Sequence, residues 1–159
     1  MGEKMVDIKG NLWLISIVAG IIGVITIFTP AWGYLSGSEN VAAWLWGLYI
    51  NNGNVNFIDL DEPIVILGII STLIIAIGTL PLLLGGILTK VKDREISLLY
   101  LVGGILPIIG IIVFLAGTES LYSGWWSYYI VHVGTILAFI AGGLGISAGV
   151  ISIMENRKT

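Results

Sequence analysis

The chain has 159 residues, 57% of them hydrophobic and only 11% charged, against roughly 25% charged in an ordinary soluble domain. Seven Lys and Arg and ten Asp and Glu side chains are too few to cover a water-soluble globule of this size, and the absence of cysteine excludes disulfide scaffolds, thiol catalysis and iron–sulfur clusters. The natural solvent is lipid, and the length suits a single integral membrane domain of about four spans of about 20 residues each, with no room for a separate soluble enzyme domain.

The first run free of Asp, Glu, Lys and Arg covers residues 12–29 and predicts a transmembrane helix, since only a helix satisfies its own backbone inside hydrocarbon. Lys4 and Lys9 precede it, and its length exceeds the 7–15 residue apolar core of a secretory signal. It is therefore expected to be retained.

Residues 30–63 form the one loop large enough to fold. Trp44, Leu45, Trp46, Leu48, Tyr49 and Ile50 are aromatic or aliphatic, Asn51-Asn52-Gly53-Asn54 is turn chemistry, and Val55, Phe57 and Ile58 resume the apolar pattern. Asn-Gly accepts positive φ at both positions, so a hairpin pairing about residues 45–50 with 55–59 is expected. Asp61-Glu62-Pro63 reads as the start of the next helix, with acid in its first turn and Pro at N1. Asp59, Asp61 and Glu62 lack the ordered spacing of a calcium loop and are expected to be a solvated helix start, with no metal.

The second span covers 64–88, contains Pro81 and carries a row of small residues at Gly68, Thr72 and Ala76. A short basic loop, 89–95, with Lys90, Lys92 and Arg94, leads to the third span, 96–117, which contains Pro107. Residues 118–129 are aromatic: Leu121, Tyr122, Gly124, Trp125, Trp126, Tyr128 and Tyr129. They read either as an interfacial belt, where an amphipathic ring has one wet and one apolar side, or as a contact surface.

The fourth span covers 130–154. His132 falls about one turn inside it and is the only ionisable group in any span; it is expected to hydrogen-bond a neighbouring helix, because haem or metal ligation needs further ligands. Gly134, Ala138 and Gly142 form one small-residue row, and Ala141, Gly145 and Gly149 a second. Such rows let helix backbones approach closely where lipid removes the hydrophobic drive for association. One row could serve the chain's own bundle and the other a second subunit.

All seven basic residues fall on one side of this layout and the two loops on the other side hold only acids. The positive-inside rule then puts both termini in the cytoplasm of a multi-pass cell-membrane protein. The expected fold is an all-α membrane protein, a four-transmembrane-helix bundle with a small extracellular β-hairpin or sheet in its first outer loop.

Pro30-Ala31-Trp32 after the first span, Gly47-Leu48-Tyr49 before the hairpin and Leu121-Tyr122-Ser123-Gly124-Trp125 ahead of the fourth span together resemble the claudin, peripheral myelin protein and epithelial membrane protein superfamily. Tyr49 stands where that family has Trp, and Asn51, Asn52, Asn54 and Asn56 occupy the region of its paired loop cysteines. The missing cysteines and the lack of an Asn-x-Ser/Thr acceptor point to a prokaryotic claudin-like relative. The resemblance implies four helices, cytoplasmic termini, a sheet in the large first outer loop, and a structural, adhesive or accessory-subunit role. Trp32, Trp44, Trp46, Gly47, Leu48 and Tyr49 would build the outer layer, and Leu121, Tyr122, Gly124 and Trp125 would pack against it.

No span carries a carboxylate for proton coupling, no basic patch suits nucleic acid, and no residue set supplies a catalytic centre or cofactor site. The chain is therefore expected to be non-enzymatic. Its partners would be the lipid bilayer and either further copies of itself or other membrane subunits. The alternative is a small oligomeric channel or transporter, with the acidic outer face attracting cations.

Overall fold

A computed structural model describes residues 9–36, 39–92 and 96–157. The described chain is mostly helical. After a 3₁₀ turn at Lys9–Asn11, helix α1 runs Leu12–Phe28, α2 Pro63–Lys92, α3 Ser97–Leu121 and α4 Val133–Asn156. Each begins near the predicted place, and α2 and α3 continue four residues past their predicted ends, because Thr89 and Lys90 or Thr118 and Glu119 satisfy helical geometry as readily as the apolar run before them. α2, α3 and α4 are long and apolar enough to cross a membrane, whereas α1 has 17 residues.

The four helices close into a ring, α1 against α2 and α4, and α3 against α2 and α4. Large aliphatic side chains face outward, among them Ile21 and Ile25 of α1, Leu73 and Ile77 of α2, Ile105 and Ile112 of α3, and Ile136 and Ile140 of α4. Ser16, Thr26, Ser71, Thr79, Thr118, Thr135 and Ser152 are buried inside. An interior smaller and more polar than the exterior is the arrangement that packing in lipid favours.

Glycine makes the close contacts. A Cβ on Gly145 would lie 2.8 Å from the Gly104 Cα, and one on Gly149 would lie 2.6 Å from the Leu101 Cγ. Gly142 faces the Gly104 carbonyl and Ile108, while Ala138 and Ala141 are fully buried. Both small-residue rows of α4 are thus consumed by α1, α2 and α3 of the same chain. At the end remote from the sheet, the Ser16 hydroxyl donates to the Leu82 carbonyl at 2.7 Å, the Tyr100 hydroxyl to Thr89 Oγ1 at 2.6 Å, and Lys90 stands 4.6 Å over the Trp13 ring.

A five-stranded antiparallel sheet caps the other end, in the order β4-β3-β2-β1-β5. Its strands are β1 Trp32–Ser36, β2 Glu39–Ala43, β3 Leu48–Asn51, β4 Asn54–Phe57 and β5 Ile130–Val131. The expected hairpin is β3–β4, with Asn51 paired to Asn54 and the turn at Asn52-Gly53, whose φ values are +49° and +84°. Its first strand starts at Leu48 and not at residue 45, because Leu45-Trp46-Gly47 makes a turn, Gly47 at φ +93°, that seats the Leu45 carbonyl on Gly68 of α2. Its second strand ends at Phe57.

Three strand pairs were not foreseen, one of them β2 with β3 from Val41↔Asn51 to Ala43↔Tyr49. β1 and β2 pair from Trp32↔Ala43 to Ser36↔Glu39, and β5 joins the outer edge of β1 through Trp32↔Val131 and Gly33↔Ile130. The fourth helix accordingly begins at Val133, three residues later than predicted. His132 is its extended N-cap residue, at φ −105° and ψ 179°, and not a residue one turn inside it. Pro63 does open α2, but Asp61 and Glu62 precede it and no acid lies in its first turn.

Candidate functional site at the sheet end

The end of α1 shows why two tryptophans stand two residues apart. The last four carbonyls of a helix have no partner within it. Here the Thr29 hydroxyl donates to the Ile25 carbonyl at 3.1 Å and the Thr29 amide to the Thr26 carbonyl at 3.4 Å, Trp46 Nε1 to Ile27 at 3.0 Å and Trp44 Nε1 to Phe28 at 2.9 Å. All four are satisfied, and in the same stroke the loop is tied to the bundle. Ala31 does the same for α4: its carbonyl accepts from the His132 amide and from the buried Thr135 hydroxyl, both at 2.8 Å.

The aromatic segment after α3 folds onto this platform. Leu121 is the last residue of α3 and half exposed, so the Leu121-to-Trp125 string closes the third helix and does not open the fourth. Gly124, at φ +82°, turns the chain, and its amide donates to Glu119 Oε1 at 2.8 Å. A 3₁₀ turn follows at Trp125–Ser127. Trp125 stacks on Tyr129 at 4.0 Å and meets Trp32 edge-on at 5.3 Å; Tyr122 lies 5.2 Å from Trp125, and Trp126 Nε1 donates to the Leu115 carbonyl. Such ring pairs contribute about 0.5–1.5 kcal/mol each beyond area burial.

Of the residues singled out from sequence, Trp32, Tyr49, Tyr122, Trp125 and Ala138 share one cluster. Trp44 and Trp46 cap α1, Gly47 lies against Val65, and Leu48 and Tyr49 open β3. Gly134 abuts the Thr29 and Pro30 carbonyls. Reading the sequence missed Tyr34, which meets Tyr129 edge-on at 5.5 Å. Trp32-Gly33-Tyr34 carries the alternation that could have found it.

Over one face of the sheet lies a cleft of about 430 Å³, walled by Trp32, Tyr34, Tyr49 and Tyr129 and bordered by Asn51, Phe57, Asp59 and Glu62; the Phe57 ring itself lies beside Trp46. Asn51 Oδ1 has no partner among the described residues. Asp59 and Glu62 belong to one turn, in which the Glu62 amide donates to the Asp59 carbonyl. Among the described residues no three His, Cys, Asp or Glu side chains gather as a metal site would require.

Charge separates along the bundle axis. Lys9, Lys90, Lys92 and Arg157 lie at the end remote from the sheet, with Glu155 as the acid among them, whereas Asp59, Asp61, Glu62 and Glu119 lie at the sheet end. Lys4, Arg94 and Lys158, which entered the sequence-based orientation, fall outside the described residues. No protein-family model matches the chain, and no curated protein matches it.

Proposed function

We propose that this is a non-enzymatic membrane protein with four spans and a claudin-like layout, acting through contacts of its sheet end with other proteins. The observation that carries the proposal is the meeting of Trp32 and Trp125, 5.3 Å apart. They come from two of the separate motifs on which the resemblance rests, and they join both loops into one layer. In support, β4 is a free edge of the sheet and exposed along its length, with Val55, Phe57 and neighbouring Leu60 61, 67 and 72% accessible. An exposed apolar edge strand invites pairing.

On this proposal α1 is the fourth span. Its 17 residues reach about 26 Å at 1.5 Å per residue, and the preceding 3₁₀ turn extends it towards the roughly 30 Å of a hydrocarbon core. The basic end faces the cytoplasm of the cell membrane and the acidic sheet end faces outward. Gentle extraction, affinity capture and native mass determination test the contact role. A homo-oligomer or a defined complex is the expected result, and a monomer captured alone from its native membrane would overturn it. Liposome conductance addresses the channel alternative: a contact protein carries no current.

A further inference from the structure

We propose that the cleft over the sheet binds an organic cation bearing an alkylated ammonium group. Three independent features converge there. Four aromatic residues, Trp32, Tyr34, Tyr49 and Tyr129, line one space of about 430 Å³, within the range of small-molecule sites. Ring faces carry the negative end of the aromatic quadrupole and attract cations, and rings grouped around a small space suit an ammonium whose charge is spread over its alkyl groups. Second, Asp59 and Glu62 border the same space. They set two formal negative charges beside the rings.

Third, no basic residue lines the cleft to compensate those charges, and between Lys9 and Lys90 the sequence contains no basic residue at all. Carboxylates concentrated on low-dielectric walls focus a field that draws cations in. A hydrated inorganic ion has no use for four aromatic walls, and an anion would be repelled. A neutral apolar ligand would not need the carboxylates.

The probe is choline, and the control is its uncharged isostere 3,3-dimethylbutan-1-ol, titrated by calorimetry and tryptophan fluorescence into full-length protein in a maltoside detergent that contains no ammonium group. Saturable choline binding, with the isostere at least about ten-fold weaker, is expected. Equal binding of the two, or no saturable binding of either, would overturn the proposal. An equal concentration of Na⁺ should leave choline bound; displacement would mean diffuse attraction only and would likewise overturn it.

Asp59→Asn with Glu62→Gln should weaken choline about ten-fold while helical content and thermal midpoint stay unchanged, since both side chains are exposed. Tyr49→Leu should weaken it several-fold by removing one ring face. Wild-type affinity in both variants would overturn the site. Two sources present this chemistry, a free solute and a lipid headgroup. Nanodiscs of phosphatidylcholine that suppress choline binding relative to phosphatidylglycerol nanodiscs identify the headgroup, and unchanged binding identifies the solute.

Discussion

The bundle and its cap are held by opposite means. Between the helices, side chains are removed so that backbones touch, as at Gly104, Gly142 and Gly145. At the sheet end, side chains are enlarged until rings fill the space, as at Trp32, Trp125 and Tyr129. The physical difference is the competing solvent. Within lipid, an isoleucine gains nothing by leaving the tails for the interior, so close van der Waals contact and carbonyl-directed hydroxyls decide the packing. Towards water, aromatic area is worth burying, and an indole N–H can satisfy a carbonyl while its ring covers apolar surface.

The contrast breaks most completely if bulk is put where side chains are missing. Gly145→Leu with Gly149→Leu drives side chains into Leu82, the Gly104 backbone and Leu101. Each clash alone costs about 1–3 kcal/mol or more in a close-packed interior. Loss of the monodisperse species in size-exclusion chromatography is expected. If the double variant kept its thermal midpoint and lost only a higher assembly, the row would face another subunit after all.

Removing bulk where rings fill the space comes next. Trp32→Ala should cost about 3–5 kcal/mol, because Trp32 is 94% buried, its accessibility being 6%. The loss should be local. Limited proteolysis should cut within residues 30–63 while far-ultraviolet circular dichroism retains the helical signal. Cleavage inside the helices would show that cap and bundle are one cooperative unit.

These two regions also differ in how far the sequence discloses them. Charge-free runs announce the helices, and Asn52-Gly53 announces the β3–β4 turn, because each signal is local. β5 is hidden: Ile130 and Val131 continue into an apolar run, and a continuous apolar run does not distinguish strand from helix. β2 is hidden by Glu39-Asn40 and Ala42-Ala43, weak strand formers that are ordered by pairing with β1 and β3. The small rows of α4 were visible as packing devices, but a Gly-xxx-Gly row does not say whose helix it meets. At the site, the aromatic wealth was legible. That Trp44 and Trp46 donate to Phe28 and Ile27 depends on where a loop lands, which no local pattern encodes.

Adjacent glycines sharpen the comparison within one turn of helix. Gly142 lies against the Gly104 carbonyl and Ile108, whereas nothing lies within 4 Å of a Cβ built on Gly143. Gly142→Ala should lower stability by about 1–3 kcal/mol. Gly143→Ala should raise it by up to about 1 kcal/mol, through helix propensity alone. Thermal midpoints in one detergent check both. Equal shifts would remove close backbone approach as the reason for the row.

The smallest effect isolates the indole N–H from the ring that carries it. Trp46→Phe keeps an aromatic side chain beside Phe57, 6.3 Å away in the parent, and deletes only the donor to the Ile27 carbonyl. A hydrogen bond of this kind contributes about 1 kcal/mol net, and more when the abandoned carbonyl is closed to water. Trp44→Phe removes the equivalent bond to Phe28, but that bond is exposed and water can replace the donor. The Trp46 variant should therefore lose about 1 kcal/mol and the Trp44 variant less. Hydrogen exchange at the end of α1 should rise in the same order. The reverse order would mean that the rings, and not their N–H groups, hold the cap to the helix.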